Sequence, residues 1–420
     1  MNYLPKAILF LLICAAAAFF VKREDDRGGL AKANRTYVDW LIGNSKEQIR
    51  TPSVTLLTID DSEEPIFQSW PPGPIDYSIM LRRLARYAPK VVAVEPVLQW
   101  QETAPGELEI LRTAGLAFDP GQLLLGTVLQ WNTGAPEPKG STLNLLRPLP
   151  SVTGDLEKIP EFSTVSQLPD PRLTAVGASA GFTQIDLGEG AIGGSSLLVP
   201  LLARVGDIVV PSFVLLAAML ELDATAADVE VLLGESITIK GDLVIPIDPS
   251  GALNVFAGLR ATLPVRDANI LVWDPTDEGG GAGGGLGKTE REALASRVVL
   301  LGMDDENART IPAGRGEKIS RAELFALAIA TIQSGRYLEK VSPAVEWIAW
   351  AVLVGIGLLL LRLHRKRAFG LALLLVLLYV ITNLLFFQSA QSWLPPAVPL
   401  ALLACVILGA LTLSEGREAP

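Results

Sequence analysis

Four apolar stretches bracket a long middle region in which short apolar runs alternate with polar ones. One runs from about Ala7 to Val21. Three follow the middle, at Ala344–Leu361, Ala368–Phe387 and Leu394–Leu413. Each approaches or reaches the roughly 20 apolar residues that a helix needs to cross a bilayer. The pattern predicts an integral membrane protein in four parts. Residues 1–23 form an anchor, 24–343 one large folded domain, 344–413 three transmembrane helices, and 414–420 a short tail. The first stretch reads either as an uncleaved anchor or as a cleaved signal peptide, and its thin basic start favours the anchor. Ile13 speaks against lipidation of Cys14, because that signal wants a small residue there.

Within the middle region, Gly28–Ile42 reads as a helix with Leu30, Tyr37, Trp40 and Leu41 near one face. Val54–Ile59 is a continuous apolar run of buried-strand type. Asp76 is placed to cap a helix carrying Ile79, Leu81, Leu84, Ala85 and Ala88, which Pro89 ends. Val91–Val94 is a second buried run. Strand, helix and strand, with both strands apolar throughout, predict a βαβ unit in a parallel sheet covered on both faces. Leu123–Leu129 adds a third strand. Gly134–Arg172, rich in Pro, Ser, Thr and charge, reads as loop with short helical turns.

Farther on, Gly181–Leu187 alternates like a strand, and Phe213–Leu222 reads as an apolar helix. Gly241-Asp242 joins Ser236–Lys240 to Leu243–Ile247 as a hairpin. Ala252–Phe256 and Ile270–Trp273 are further strand candidates, and Arg297–Leu301 is another buried run. Ser320 and Glu323 form a capping box opening a helix to about Ser334, with Gly335 at its end. The fold class expected is therefore α/β. A mainly parallel, mixed sheet is flanked by helices, with one N-terminal and three C-terminal transmembrane helices.

Charge sets the orientation. Arg362, Arg365, Lys366 and Arg367 crowd the short link between the second and third apolar stretches, beside the single histidine, His364. Basic residues in short loops stay cytoplasmic. Counting crossings then puts residues 24–343 outside and both termini inside. That is the topology of an integral membrane protein with an extracytoplasmic domain. The net charge of −10, with no basic patch interleaved with aromatics, argues against nucleic acid as a partner. Cys14 and Cys405 lie within apolar stretches, so the middle region holds neither Cys nor His. No zinc site and no Ser-His-Asp or Cys-His arrangement is expected there, and no cofactor is implied.

Two patterns carry candidate chemistry. Gly279–Thr289 ends in Gly287, Lys288 and Thr289 like a phosphate-binding loop, but Ala282 stands where the first required glycine belongs. A glycine linker, followed by a helix capped by Thr289 and Glu292, explains it better. The second pattern is acidic. Asp60 and Asp61 end one predicted strand, Glu95 a second, and Asp304 and Asp305 follow a third. Ligands of parallel α/β sheets bind outside the carboxyl ends of strands, so these acids are positioned for one crevice. The alternative is that they cap helices and solvate strand ends. Trp70 lies in the loop after the first strand and Trp100 after the second, either lining a pocket or closing a core. Asn383 is the polar residue of the third stretch, suited to bonding a neighbouring helix.

VTLLTIDDS (Val54–Ser62), Trp70-Pro71, APKVVAVEPV (Ala88–Val97) and RVVLLGMDD (Arg297–Asp305) resemble the CHASE family of type two. These are cyclase- and histidine-kinase-associated sensory extracellular domains. The resemblance continues through GDLVIPIDPSGALNVFAG (Gly241–Gly258) and the helix Ser320–Ser334, covering most of Thr36–Leu413. Glu95 stands where that family usually shows Asp, and Ile75 lies near where it shows Arg. The resemblance implies an extracytoplasmic module that recognises a small ligand, with Asp60, Asp61, Trp70 and Gly302 as matching motif residues. With Glu95 and Asp304 they make the candidate ligand site, and no metal or catalytic residue is assigned.

The expected function is non-enzymatic. The chain senses an unknown small ligand or an envelope protein outside and couples it through the membrane helices to a separate cytoplasmic signalling protein. The separate partner is expected because Ser414–Pro420 is too short to act as an output domain. A homodimer is expected from the resemblance. The alternatives are a structural subunit of an envelope assembly and an exported hydrolase using Asp60 and Glu95 as paired carboxylates.

Overall fold

A computed structural model describes residues 3–27, 29–30, 33–34, 36–37, 40–41, 52–60, 67, 70–100, 103–130, 145–185, 197–272, 291, 294–295, 297–314, 317–337, 339–390 and 392–413. The chain divides into two compact units. One holds Ile49–Leu187 and Leu197–Tyr337, the other Met1–Gln48, Gly188–Ser196 and Leu338–Pro420.

The first of these units is built on a seven-stranded sheet. Its strands are β1 (Val54–Ile59), β2 (Val91–Val94), β3 (Leu123–Gln130), β4 (Thr164–Gln167), β5 (Ser179–Phe182), β6 (Val265–Asp267) and β7 (Val298–Met303). The order is β6-β1-β7-β2-β3-β5, all parallel, and β4 pairs antiparallel with the second half of β3. The apolar runs of β1, β2 and β7 are buried on both faces, as covered parallel strands require.

Side chains of a strand point alternately to its two faces. Leu57, Ile59, Val92, Val94, Val299 and Leu301 join one core with helices α2 (Pro74–Ala85) and α3 (Pro105–Gly115). The opposite face takes α4 (Phe213–Glu221), against β2, β3 and β5, and α5 (Arg321–Ser334), against β1 and β7. Helix α5 starts at Ser320, whose hydroxyl accepts from the Glu323 amide, and ends at Gly335 in the left-handed region. Gly302 of β7 is a close-approach position: a Cβ there would lie 2.1 Å from the Cβ of Ala322.

Several expectations needed correction. Asp76 does not cap α2 from the N-cap position. Gly73 holds that place, and Asp76 sits one turn in, its carboxylate accepting from the Gly73 amide. The described part of Gly134–Arg172 is not plain loop. Ser151–Thr153, Glu161–Phe162 and β4 are strands whose polar, mostly exposed residues find partners far away in sequence, which local pattern does not reveal. Ile270 belongs to a 3-10 turn, Ala268–Leu271, and Trp273 lies outside the described residues. The edge strand is instead the exposed Val265–Asp267. Strand β5 begins earlier than Gly181 and ends at Phe182, and Ala252–Asn254 is the strand within Ala252–Phe256. The hairpin at Gly241 is present, with Lys240 and Gly241 both at positive φ between Ser236–Ile239 and Leu243–Pro246. Of Gly28–Ile42, residues 33–34, 36–37 and 40–41 are helical, and the rest is turn at 29–30 or outside the described residues.

The second unit contains α1 (Tyr3–Asp26), α6 (Pro343–Leu360), α7 (Arg365–Ala390) and α8 (Ala397–Thr412). Three are long and apolar enough to cross a membrane: Leu4–Asp25, Pro343–Leu360 and Arg365–Gln388. The fourth stretch gives a helix of only 16 residues, because Pro395 and Pro396 delay its start to Ala397. At about 1.5 Å per residue it is roughly 24 Å long. Helix α8 nonetheless packs against α1, α6 and α7. Phe10 of α1 inserts between Gly357 and Gly409, where any side chain would collide with its ring. Cys14 and Cys405 lie buried in the same apolar cluster. Glu339–Lys340 pairs in parallel with Ser392–Trp393, so α6 and α8 start at the same end.

Candidate functional site: the carboxyl edge of the sheet

The connections leaving β1 and β2 lead to α2 and α3 on one face. The connection leaving β7, which lies between them, leads to α5 on the other. Where neighbouring strands send their chains to opposite faces, a crevice opens outside their carboxyl ends. The residues at those three ends are Asp60, Glu95 and Asp304. The sequence pattern and the topology thus bring the same three acids to one edge. Asp61 lies outside the described residues.

Each of the two inner acids is joined by an arginine. Asp304 is buried and accepts from Nε and Nη2 of Arg309 at 3.1 and 3.0 Å. Glu95 is 2 % exposed, and its Oε1 accepts from Nε of Arg321 and lies against Nη2. A third pair, Arg260 with Glu323, lies on the same side, Glu323 being one turn into α5. Burial holds the Glu323 carboxyl above its ordinary pKa, with the Arg260 hydrogen bond opposing that rise. The Arg309 guanidinium is held above its ordinary value first by the hydrogen bond to Asp304, and Asp60 and Glu323 add to the effect. Asp60, Asp304, Glu323, Arg260 and Arg309 therefore form one electrostatic cluster.

A short hairpin builds this edge. Strands β8 (Arg309–Gly314) and β9 (Glu317–Ser320) pair antiparallel, and Arg309 lies opposite Ser320. That register sets Arg309 opposite the N-cap residue of α5, the helix that Arg321 opens. Asp305 turns the chain into the hairpin by accepting from the Ala308 amide.

The remaining candidates have other surroundings. Gly302 lets α5 approach β7, so its place at the edge is one of packing. Trp70 is 39 % exposed and its ring packs on Phe67 at 6.2 Å, with a cis peptide bond to Pro71. The ring of Trp100 packs against the buried Tyr77 in a tilted arrangement, centroids 6.0 Å apart. Burial raises the Tyr77 pKa, and the charges of Glu95 and Asp76 raise it further. Among the described residues no group of three or more metal-ligating side chains is present.

Sequence reasoning missed the arginines. One signal was available: Arg321 occupies the first turn of a helix, where the macrodipole disfavours a cation. An arginine there marks a tertiary carboxylate partner.

The strand order and the helices on both faces define a doubly wound α/β domain followed by apolar helices. The family model for the CHASE2 domain matches residues 9–361, and the chain belongs to that family of sensory extracellular domains. No curated protein and no solved structure matches it.

Proposed function

We propose that this chain is a non-enzymatic membrane sensor of the bacterial cytoplasmic membrane. Residues 24–343 face the extracytoplasmic side, and the apolar helices, α8 included, hold them there. The carboxyl edge around Asp60, Glu95 and Asp304 receives a small ligand or an envelope partner. Binding there shifts the arrangement of the membrane helices, which an effector on the cytoplasmic side reads, in a homodimer or a larger assembly.

One observation supports this reading above the others. Helix α5 carries both Arg321 and Glu323, each paired at the edge. Residues 335–342 alone then separate it from the start of α6. A ligand that binds one arrangement of these pairs better than another shifts their equilibrium, and α5 is the shortest chain path from the edge to an apolar helix.

Photocrosslinking in intact cells tests the coupling. Probes placed at Arg362, in the basic loop, and at Arg367, in the first turn of α7, are expected to capture a cytoplasmic signalling protein. Capture of envelope proteins alone, by probes in the α/β unit, would instead support a structural subunit.

A further inference from the structure

We propose that Glu221 and Gln333 form a proton-operated latch, which holds the last turn of α5 to α4 most tightly when the Glu221 carboxyl is protonated. The latch lies at the opposite end of α5 from the carboxyl edge and makes the proton a second input to that helix. Only its consequence for α6 rests on the sensor reading, since the latch itself needs neither ligand nor effector.

Glu221 is the last residue of α4 and Gln333 the last but one of α5, and the two helices pack on the same face of the sheet. Nε2 of Gln333 donates to both carboxylate oxygens of Glu221, at 2.9 and 2.8 Å. Oε1 of Gln333 is buried and has no hydrogen-bond partner among the described residues. An ionised carboxylate only accepts, so it gives this oxygen nothing. A protonated carboxyl has an O–H to offer. That group can donate to Oε1 while the other oxygen keeps the Nε2 hydrogen, closing a ring of two hydrogen bonds. A buried acceptor left without a donor is costly, so the protonated pair is the tighter link.

Few charges bear on Glu221. The strands packed against α4 are β2, β3, β5 and Ile208–Pro211, and none contains an ionisable side chain. On α5 the ionisable residues are Arg321 and Glu323, about 15 Å along the helix from Gln333. Arg336, just past α5, is itself engaged. Lys90 acts on Glu221 from the chain entering β2, but its Nζ is held by Asp223 at 2.7 and 2.6 Å. Lys240 donates to the Leu222 carbonyl, and Arg147 comes in at Gly121 beside Leu220. Burial holds the Glu221 carboxyl above its ordinary pKa, and the Gln333 hydrogen bond and Lys90 oppose that rise. The folded state therefore holds the proton more tightly than the unfolded chain. The latch is complete below about pH 4.5 and loosens as pH rises through the folded pKa. Residues 335–342 carry the chain from this end of α5 to α6, so acid outside fixes the last turn before an apolar helix.

The test follows amide hydrogen exchange by mass spectrometry in the purified full chain in detergent. Wild type and Glu221→Gln are compared at about pH 4.5 and about pH 7.5, with rates corrected for the intrinsic effect of pH. Glutamine at 221 offers an N–H to Oε1 and an oxygen to Nε2 at every pH, so this variant stays latched. Between the two pH values, opening of the end of α5 should rise about fivefold in wild type relative to Glu221→Gln, the worth of one hydrogen bond. The start of α5, which carries Glu323, should behave alike in both proteins. Gln333→Leu cannot close the ring and should open readily at both pH values. Each variant's thermal midpoint at about pH 4.5 is the folding reference.

Equal opening in wild type and Glu221→Gln at both pH values overturns the proposal, as does a rise that both proteins share. A rise that persists in Gln333→Leu also overturns it, because it assigns the effect to the burial of Glu221 alone. The sensor reading is decided separately, by the crosslinking at the basic loop.

Discussion

Removing one member of the Glu95–Arg321 pair should cost more from one side than from the other. Glu95 is 2 % exposed and Arg321 44 % exposed. Arg321→Ala leaves a buried carboxylate without its partner, and stranding a buried charge costs about 3 kcal/mol. Glu95→Ala leaves an arginine that water reaches, so the loss is nearer that of one charge-assisted hydrogen bond, about 1.5 kcal/mol. The double variant removes the stranded charge and should be more stable than Arg321→Ala alone by about 1 kcal/mol or more. Followed by tryptophan fluorescence on heating, Arg321→Ala should lower the midpoint by about 6 °C and Glu95→Ala by about half as much. Equal costs for the two single variants, or a double variant less stable than Arg321→Ala, would refute the reasoning that Glu95 is the buried partner.

Three other outcomes follow from the geometry. Gly302→Ala puts a methyl group 2.1 Å from the Cβ of Ala322 and forces α5 away from β7, so it should destabilise by about 2 kcal/mol in denaturant unfolding. The Glu323 carboxyl titrates above its unfolded value of 4.5, so the folded state holds the proton more tightly. Its contribution is complete below about pH 4.5 and is lost as pH rises through the folded pKa. Wild type should therefore lose stability relative to Glu323→Gln over that rise, and parallel pH profiles would contradict the assignment. In the membrane unit, mild oxidation should give a disulfide-linked peptide containing Cys14 and Cys405, detected by mass spectrometry. Linkage of either cysteine to another chain in place of this pair would refute the packing of α1 on α8.

Strands buried on both faces were legible because nothing else in a polar context reads as Val54–Ile59 or Val91–Val94. The ends of α5 were legible because Ser320 and Gly335 act locally. The exposed strands Ser151–Thr153 and Val265–Asp267 were not, since their pairing depends on residues far along the chain. The site followed the same division. Asp60, Glu95 and Asp304 could be placed at strand ends by pattern. Their arginines come from a hairpin register and from tertiary pairing, which no spacing in the sequence displays. Glu323 shows the limit of a local motif. Its amide does bond Ser320, as a capping box predicts, but its carboxylate is taken by Arg260, 63 residues away.

The central claim is that the α/β unit faces outside, carried by helices whose basic loop faces the cytoplasm. Replacing Cys14 and Cys405 by serine allows single cysteines to report on each side. Asp242→Cys, at the exposed hairpin tip, should react with a membrane-impermeant maleimide in intact cells. His364→Cys, in the basic loop, should react only after the membrane is permeabilised. Protection of residue 242 with labelling of residue 364 in intact cells would contradict the account.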